Sequence, residues 1–431
     1  MDNLKALKDW LLKVEEIAKN LGLEFVPQEF VICNNEQMVE RQAHHGGYNL
    51  YPHWSFGKAK FITRILYDHR FSFLPNEIVI NTNPCTAFML ETNPIVDNIM
   101  IGGHVYAHND FFNRNVAFRL NRPELIQTKL KRGSQLIQRC VENPKFGSSR
   151  VEKLIDAAHG AFFLFDEHGN HFIDFAIRNF RNLSAIDQEI LEVIKALAIH
   201  LWPIAETKIM NEGWASYWHF RTLRLLSDKL IETFGADAYH EAIKMHLRVI
   251  KMPRSFLDIN PYRIGFYTWN KARKELGSEK ELFRVRKNYT DEEFLEEFFN
   301  NKDGFIHENF IKPFIVENAS KRIFVESQLR QMADQYRDNV LKARADKLYP
   351  KFDFAIEPLG LVQCLVLRHI FDGRVLDSEM AQGTMKLIHY IWKGPIRLET
   401  KSISKRRQHG KYITKDKIIV CNQLGDVEER E

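Results

Sequence analysis

Three short segments of this 431-residue chain carry side chains whose types and spacing suit metal capture or proton transfer. In GGHVYAHNDFF, His104 and His108 stand four residues apart, in a stretch that continues the helical pattern of PIVDNIMI. Four residues is slightly more than one turn, so both imidazoles project from one face and can close on one ion. Two core or surface histidines would give the same pattern. In KIMNEGWASYWH, Glu212 sits among Ile209, Met210, Trp214, Ala215, Tyr217 and Trp218. A carboxylate in so apolar a run needs a neutralising partner, because an unpaired buried charge costs several kcal/mol or shifts its pKa until it is neutral. His219 returns to the same face seven residues on, with Ser216 between them. An arginine, or a Tyr or Trp donor, would satisfy Glu212 as a metal would. In VEKLIDAAHG, Glu152, Asp156 and His159 fall at i, i+4 and i+7, although Arg150 and Lys153 favour a wet surface stripe there.

Three helices that each offer ligand-type side chains on one face are how helical proteins build carboxylate and histidine metal sites. The expected site is a divalent ion, zinc first, held by His104, His108 and Glu212, with Asp110, Glu152 or His219 handling the proton. A redox version adds Glu152, Asp156 and His159 as a second ligand set and takes iron or manganese. The other reading of the same residues is a non-catalytic assembly or regulatory protein with a structural metal or a polar network.

The elements that must position these groups are mostly helical. At the N-terminus, Leu4, Leu7, Leu11, Val14, Ala18 and Leu21 share one face with charges opposite, an amphipathic helix rather than a signal-peptide core, and Gly22 reads as its stop. Residues 1–83 read as a wrapping arm holding the aromatic loop HHGGYNLYPHWSFGK and a strand NEIVIN. Residues 84–321 read as a helical body: Pro94 and Pro123 suit first turns, Ser148 and Ser184 suit N-caps, and Thr290 with Glu293 makes a capping box. From 322 to 431 the texture shifts to RIFVES, LVQCLVLRHI, GPIRLET and KYITKDKIIVCN around a helix near Ser378 to Trp392. The fold class is therefore α+β, a large mainly helical domain (1–321) with a small C-terminal α/β sheet domain (322–431). The sequence shows no internal repeat.

Composition narrows the function. With 61 basic against 56 acidic side chains the field is mild, which argues against nucleic acid as a partner. Five scattered cysteines without a CxxC pair argue against a disulfide framework and a cysteine zinc site, and point to a reducing, cytoplasmic setting. No span approaches the roughly 20 apolar residues of a transmembrane segment. The basic run Lys401 to Lys411, followed by DVEERE, reads as a solvated tail.

Two resemblances follow from these residues. HVYAH with Asn211-Glu212-Gly213-Trp214-Ala215 resembles the gluzincin zinc aminopeptidases, whose HExxH helix gives two histidine ligands and whose NEGFA-type segment gives a glutamate. Val105 stands where that pattern has its general base, and about a hundred residues separate the motifs. The blocks YPHWSFGK, EIVINTNPC, HVYAHNDFF, VEKLIDAAH, TKIMNEGWASYWHF, INPYRIGF and LVLRHIFDGRVLD to KGPIRLET, in this order, resemble the stage V sporulation protein R (SpoVR) family over nearly the whole chain. That resemblance implies a cytoplasmic bacterial protein of spore cortex formation, or of stress and stationary-phase physiology in non-sporulating relatives. It also implies a serine protein kinase and a von Willebrand-type protein as partners, and a peptide or cell-wall precursor fits as substrate. Within the blocks, YPHWSFGK reads as a hydrophobic plug with polar tips or a pocket wall, and INPYRIGF as a capped helix start with Tyr262 packed on Phe266.

Overall fold

The computed structural model describes residues 2–44, 48, 50–68, 76–255, 258–318, 325–344, 349–408 and 411–430. In chain order the elements begin with α1 (Asp2–Asn20), β1 (Gln28–Cys33), α2 (Asn35–Ala43), α3 (Trp54–Asp68), β2 (Glu77–Ile80), β3 (Cys85–Leu90) and α4 (Ile95–Arg114). They continue with α5 (Pro123–Glu142), α6 (Ser148–Gly160), α7 (Phe172–Asn179), α8 (Ala185–Glu206), α9 (Lys208–Leu225), α10 (Ser227–Phe234), α11 (Ala236–Val249) and α12 (Pro261–Leu276). Then come α13 (Glu279–Asn288), α14 (Asp291–Phe298), α15 (Lys312–Asn318) and α16 (Glu326–Lys342). The chain closes with β4 (Phe352–Leu359), β5 (Val362–His369), α17 (Ser378–Trp392), β6 (Ile396–Gln408), β7 (Lys411–Cys421) and β8 (Val427–Arg430). The α+β class holds, with helices dominating and a sheet at the C-terminus.

By contacts the chain forms two compact units: residues 1–48, 56–125 and 203–348, and residues 49–55, 126–202 and 349–431. This partition is not collinear with a boundary at 321, because α5, α6 and α7 group with the C-terminal strands. A shift in sequence texture marks a change of element type, whereas compactness follows tertiary packing.

In the first unit α4 and α9 are buried on every side: each residue from Asn98 to Phe112, and each from Ile209 to His219, is buried. Helices buried all round are usually apolar all round. These two instead carry Asn98, His104, His108, Asn109, Asp110, Asn211, Glu212 and His219 in their buried stretches, and most of those polar groups have identifiable tasks. Asn109 exchanges hydrogen bonds with the Val26 backbone (3.0 and 2.9 Å), and Asp110 accepts from the Glu24 N–H (2.7 Å), from the Trp214 indole (2.8 Å) and from Arg286 (3.1 Å). The free N–H groups of Ile209 and Met210 at the start of α9 donate to buried Asp291 at 2.9 and 2.7 Å.

Close approach of backbones fixes the α9 and α12 pair. A Cβ on Gly213 would lie 2.3 Å from the Gly265 Cα, so the Gly of the NEGWA segment and the Gly of PYRIGF are there to let two helices touch. α1 lays Leu7, Leu11, Val14 and Ala18 into this core as expected, while Leu4 is 60% exposed. A three-stranded sheet, β1-β3-β2, pairs β1 parallel and β2 antiparallel to β3.

The second unit holds a five-stranded sheet in the order β4-β5-β6-β7-β8, antiparallel except for β5 and β6, which α17 connects as a crossover. Its aromatic core includes Phe172 against Phe354 (5.2 Å) and Phe180 against Trp392 (4.8 Å).

Several local expectations hold and several do not. Gly22 takes a positive φ of 88°, Pro123 opens α5, Ser184 exchanges hydrogen bonds with Asp187, and Thr290 with Glu293 forms the capping box. Gly147 rather than Ser148 is the cap of α6, and Pro94 caps α4 from outside its first turn. The run from 401 to 411 is no tail, since most of it lies in β6 and β7, which pair antiparallel through Lys401 and Asp416. In RIFVES, residues 322–324 lie outside the described residues, and Glu326 begins a helix rather than a strand. His45, Gly46, Gly47 and Asn49 of the aromatic loop also lie outside them. All five cysteines are buried and free, and no helix among the described residues is long and apolar enough to cross a membrane.

Candidate metal centre

The helix periodicity that places His104 and His108 on one face of α4 brings their Nε2 atoms to 2.9 Å. From α9, the Glu212 Oε2 approaches to 3.3 Å from the His108 Nε2 and 3.8 Å from the His104 Nε2. Among the described residues these three form the group of His, Cys, Asp or Glu side chains whose ligand atoms all lie within 4.8 Å of one another. Zinc binds histidine nitrogen at about 2.0 Å, so two imidazoles on one ion stand roughly 3 Å apart, as they do here.

The donor set fits a divalent cation on a second count. Glu212 is 6% exposed, and its buried Oε2 faces the two Nε2 atoms, with the Tyr262 phenol also close to the carboxylate. Its other oxygen pairs with the Lys208 ammonium at 2.5 Å, one turn earlier on α9. Burial opposes ionisation of Glu212, yet the Lys208 ammonium above all holds its carboxyl well below the usual carboxylate range. The charged partner is thus a lysine rather than an arginine.

A second layer holds the imidazoles. The His108 Nδ1 lies 2.9 Å from the Asn211 Oδ1, and the His104 Nδ1 lies 2.9 Å from the Nδ1 of His219. The His219 Nε2 in turn lies 2.6 Å from the Nδ1 of His246 on α11. Metal-bound histidines ordinarily donate their other ring N–H to such partners, which fixes tautomer and ring orientation. Burial keeps three of these rings neutral: it pushes His104 down to about 3, pushes His246 down to about 4, and lowers His219 well below its ordinary value.

Two groups on the wall were not singled out for chemistry from the sequence. Glu77, at the start of β2, places its Oε1 3.7 Å from the His104 Nε2, and burial, with Glu212 adding to it, raises its carboxyl to about 7. Tyr262, the second residue of α12, stacks over His104 with ring centroids 6.2 Å apart, and the Glu212 charge, then burial, pushes its phenol well up. The expected Asn260 cap and Pro261 start of α12 are present, and among the described residues the ring stacked on Tyr262 is that of His104. Nothing periodic announces Glu77 or Tyr262: each lies at the end of an element that tertiary packing carries to α4. A cavity of about 550 Å³ opens on these groups, lined by Glu77, His104, His219, Lys251 and Tyr262 with apolar walls such as Met100 and Val249. That volume suits a small-molecule or side-chain-sized ligand.

The remaining candidates lie elsewhere. Asp110, two residues after His108, spends both oxygens on Glu24, Arg286 and Trp214. Glu152, Asp156 and His159 lie on α6 in the second unit, and none of them belongs to the ligand group. Glu152 is exposed. Asp156 Oδ1 lies 3.3 Å from the His53 Nε2 and accepts from the Trp54 indole at 3.2 Å, while the His159 Nε2 meets the Tyr51 hydroxyl at 2.6 Å. The VEKLIDAAH helix therefore clasps the YPHW loop.

Comparison with known proteins agrees with the motif blocks. The family model described as SpoVR like protein matches residues 2–171 and 164–349. The uncharacterized protein YcgB of Escherichia coli (strain K12) is 25% identical over 475 aligned positions, covering 91% of this chain and 91% of its own. No solved structure matches the chain.

Proposed function

The chain belongs to the SpoVR family, and from that premise we propose that it serves spore cortex or envelope formation as a metal-dependent hydrolase of a peptide or cell-wall precursor bond. The observation that carries the reading is the convergence of two imidazole Nε2 atoms and a carboxylate oxygen, all buried, within 4.8 Å of one another, with His104 of this group also lining the cavity. His104, His108 and Glu212 would hold the ion. Two histidines and one carboxylate suit zinc first, and the same donors accept iron(II) or manganese(II). When bound, the ion supplies a Lewis acid and an acidified water.

The chain's own residues supply the rest. Lys208 keeps Glu212 ionised, and Asn211 and His219 orient the imidazoles. Val105 fills the place of the gluzincin base and is fully buried, so the proton acceptor falls to Glu77, whose carboxyl faces His104 from the cavity wall. The Tyr262 phenol on the same wall is placed to donate to a substrate oxygen. A cytoplasmic location and work with a serine protein kinase and a von Willebrand-type protein complete the proposal.

Tag-free protein stripped with chelator and titrated with zinc should take up one equivalent per chain. Glu212→Gln should keep the metal-free fold while abolishing tight uptake and in vivo function. A chain that binds no metal excludes the hydrolase. If Glu212→Gln leaves function intact while Glu212→Ala lowers melting temperature and protein level together, the group is a structural network of an assembly protein instead.

A further inference from the structure

We propose that His219 and His246 are positioning residues that set which nitrogen of His104 faces the ion, through a hydrogen-bond chain whose direction reverses when metal is captured. For its loaded state the inference rests on the metal reading above; its metal-free state stands on geometry alone.

The chain can be assigned proton by proton. The Asn211 side-chain oxygen can only accept, so the His108 Nδ1 at 2.9 Å carries the hydrogen and the His108 Nε2 is bare. The His104 Nε2, 2.9 Å from that bare nitrogen, must then donate to it. A neutral imidazole has one N–H, so the His104 Nδ1 is bare and accepts from the His219 Nδ1–H at 2.9 Å. The His219 Nε2 is bare in turn and accepts from the His246 Nδ1–H at 2.6 Å. Three contacts thus point in one direction, from His246 toward His108.

An ion on the His104 Nε2 needs that nitrogen bare. His104 must then carry its hydrogen on Nδ1, His219 on Nε2 and His246 on Nε2. The change balances: one proton leaves the His104 Nε2 for water, two hop along the chain, and one enters the His246 Nε2 from water. Each ring keeps one hydrogen, so the cluster captures a cation without changing the rings' own charge. His246 is held for this task between Phe220, stacked at 4.5 Å, and Phe266, edge-on at 5.1 Å, so its ring stays aimed at His219 while its hydrogen moves.

The test uses full-length protein labelled with ¹⁵N-histidine, the His219 signals being assigned by their loss in His219→Gln. Long-range proton–nitrogen spectra should find the His219 hydrogen on Nδ1 in chelator-treated protein and on Nε2 with zinc bound. His246→Phe, which keeps the aromatic packing but cannot accept, should weaken zinc binding about tenfold or more. His246→Gln, whose amide oxygen can accept from the His219 Nε2–H, should restore most of that loss. A hydrogen on the same His219 nitrogen in both states overturns the reversal. So do Phe and Gln variants that bind zinc alike. Wild-type protein that takes up no zinc removes the site and the loaded half together. A metal-free His219 protonated on Nε2 overturns the chain whether or not zinc binds.

Discussion

Two clusters of imidazoles and carboxylates sit on helices of this chain, and they are arranged in different ways. On α6 the polar atoms meet protein counterparts: Asp156 has His53 and Trp54, and His159 has Tyr51. On α4 and α9 two Nε2 atoms face each other and a buried carboxylate oxygen faces both, the three ligand atoms lying within 4.8 Å of one another. The spacing of Glu152 to His159 repeats that of Glu212 to His219, so sequence pattern alone does not separate them. Convergence does: the first arrangement closes a loop onto a helix, and among the described residues only the second draws three ligand atoms within 4.8 Å of one another.

The largest effect expected of this difference is acid lability. His246 is held at about 4 by burial, and His104 and His219 are also held below the ordinary 6.5. A histidine with a folded value below its unfolded one leaves stability fully present above 6.5 and removes it as pH falls toward the folded value. For His246 alone that amounts to about 3 kcal/mol by pH 4, with the other two rings adding to it. Urea midpoints of chelator-treated protein should therefore drop steeply between pH 6.5 and 4, and His246→Phe should flatten the slope by about one proton. A midpoint that does not move with pH would mean the rings are not buried neutral.

Glycine contacts sharpen the comparison next. Gly213 and Gly265 meet backbone to backbone, so Gly265→Ala has no flexible neighbour to displace and should cost about 3 kcal/mol or more. A Cβ on Gly160 of α6 meets the Leu387 side chain at 2.9 Å, which can turn aside, and Gly160→Ala should cost about 1 kcal/mol. Equal losses in chemical denaturation would contradict the packing described for α9 and α12.

Metal should act on one cluster only. At a zinc concentration near a hundred times Kd, wild-type protein should gain about 2.7 kcal/mol. Glu212→Gln should lose that gain, and Asp156→Asn with His159→Phe should keep it. The smallest effect is on the clasp: each of those α6 substitutions should cost about 1 kcal/mol of stability, the worth of an ordinary hydrogen bond. A zinc response that vanishes in Asp156→Asn would instead join the two clusters functionally.

Much of this was legible in the chain. Helical spacing alone puts His104 and His108 together, and the apolar run around Glu212 demands the partner it has. The N-terminal amphipathic face, the Thr290 capping box and the β-rich C-terminus also follow from local pattern. What local pattern does not carry is the meeting of distant elements. Glu77, Tyr262 and His246 reach the site from β2, α12 and α11; Gly103 lets α9 approach α4, and Gly213 lets α12, with Tyr262, approach α9. Asp110 looked like a free carboxylate because its three partners lie at positions 24, 214 and 286. The basic run at 401–411 looked like a tail because its charges hide an antiparallel pairing.

Crystals of zinc-loaded protein, with data collected at the zinc absorption edge, test the central claim most directly. One strong anomalous peak per chain is expected, about 2.0 Å from the Nε2 atoms of both His104 and His108 and bonded to Glu212. A map with no peak there, or with its peak among His53, Asp156 and His159, would contradict it.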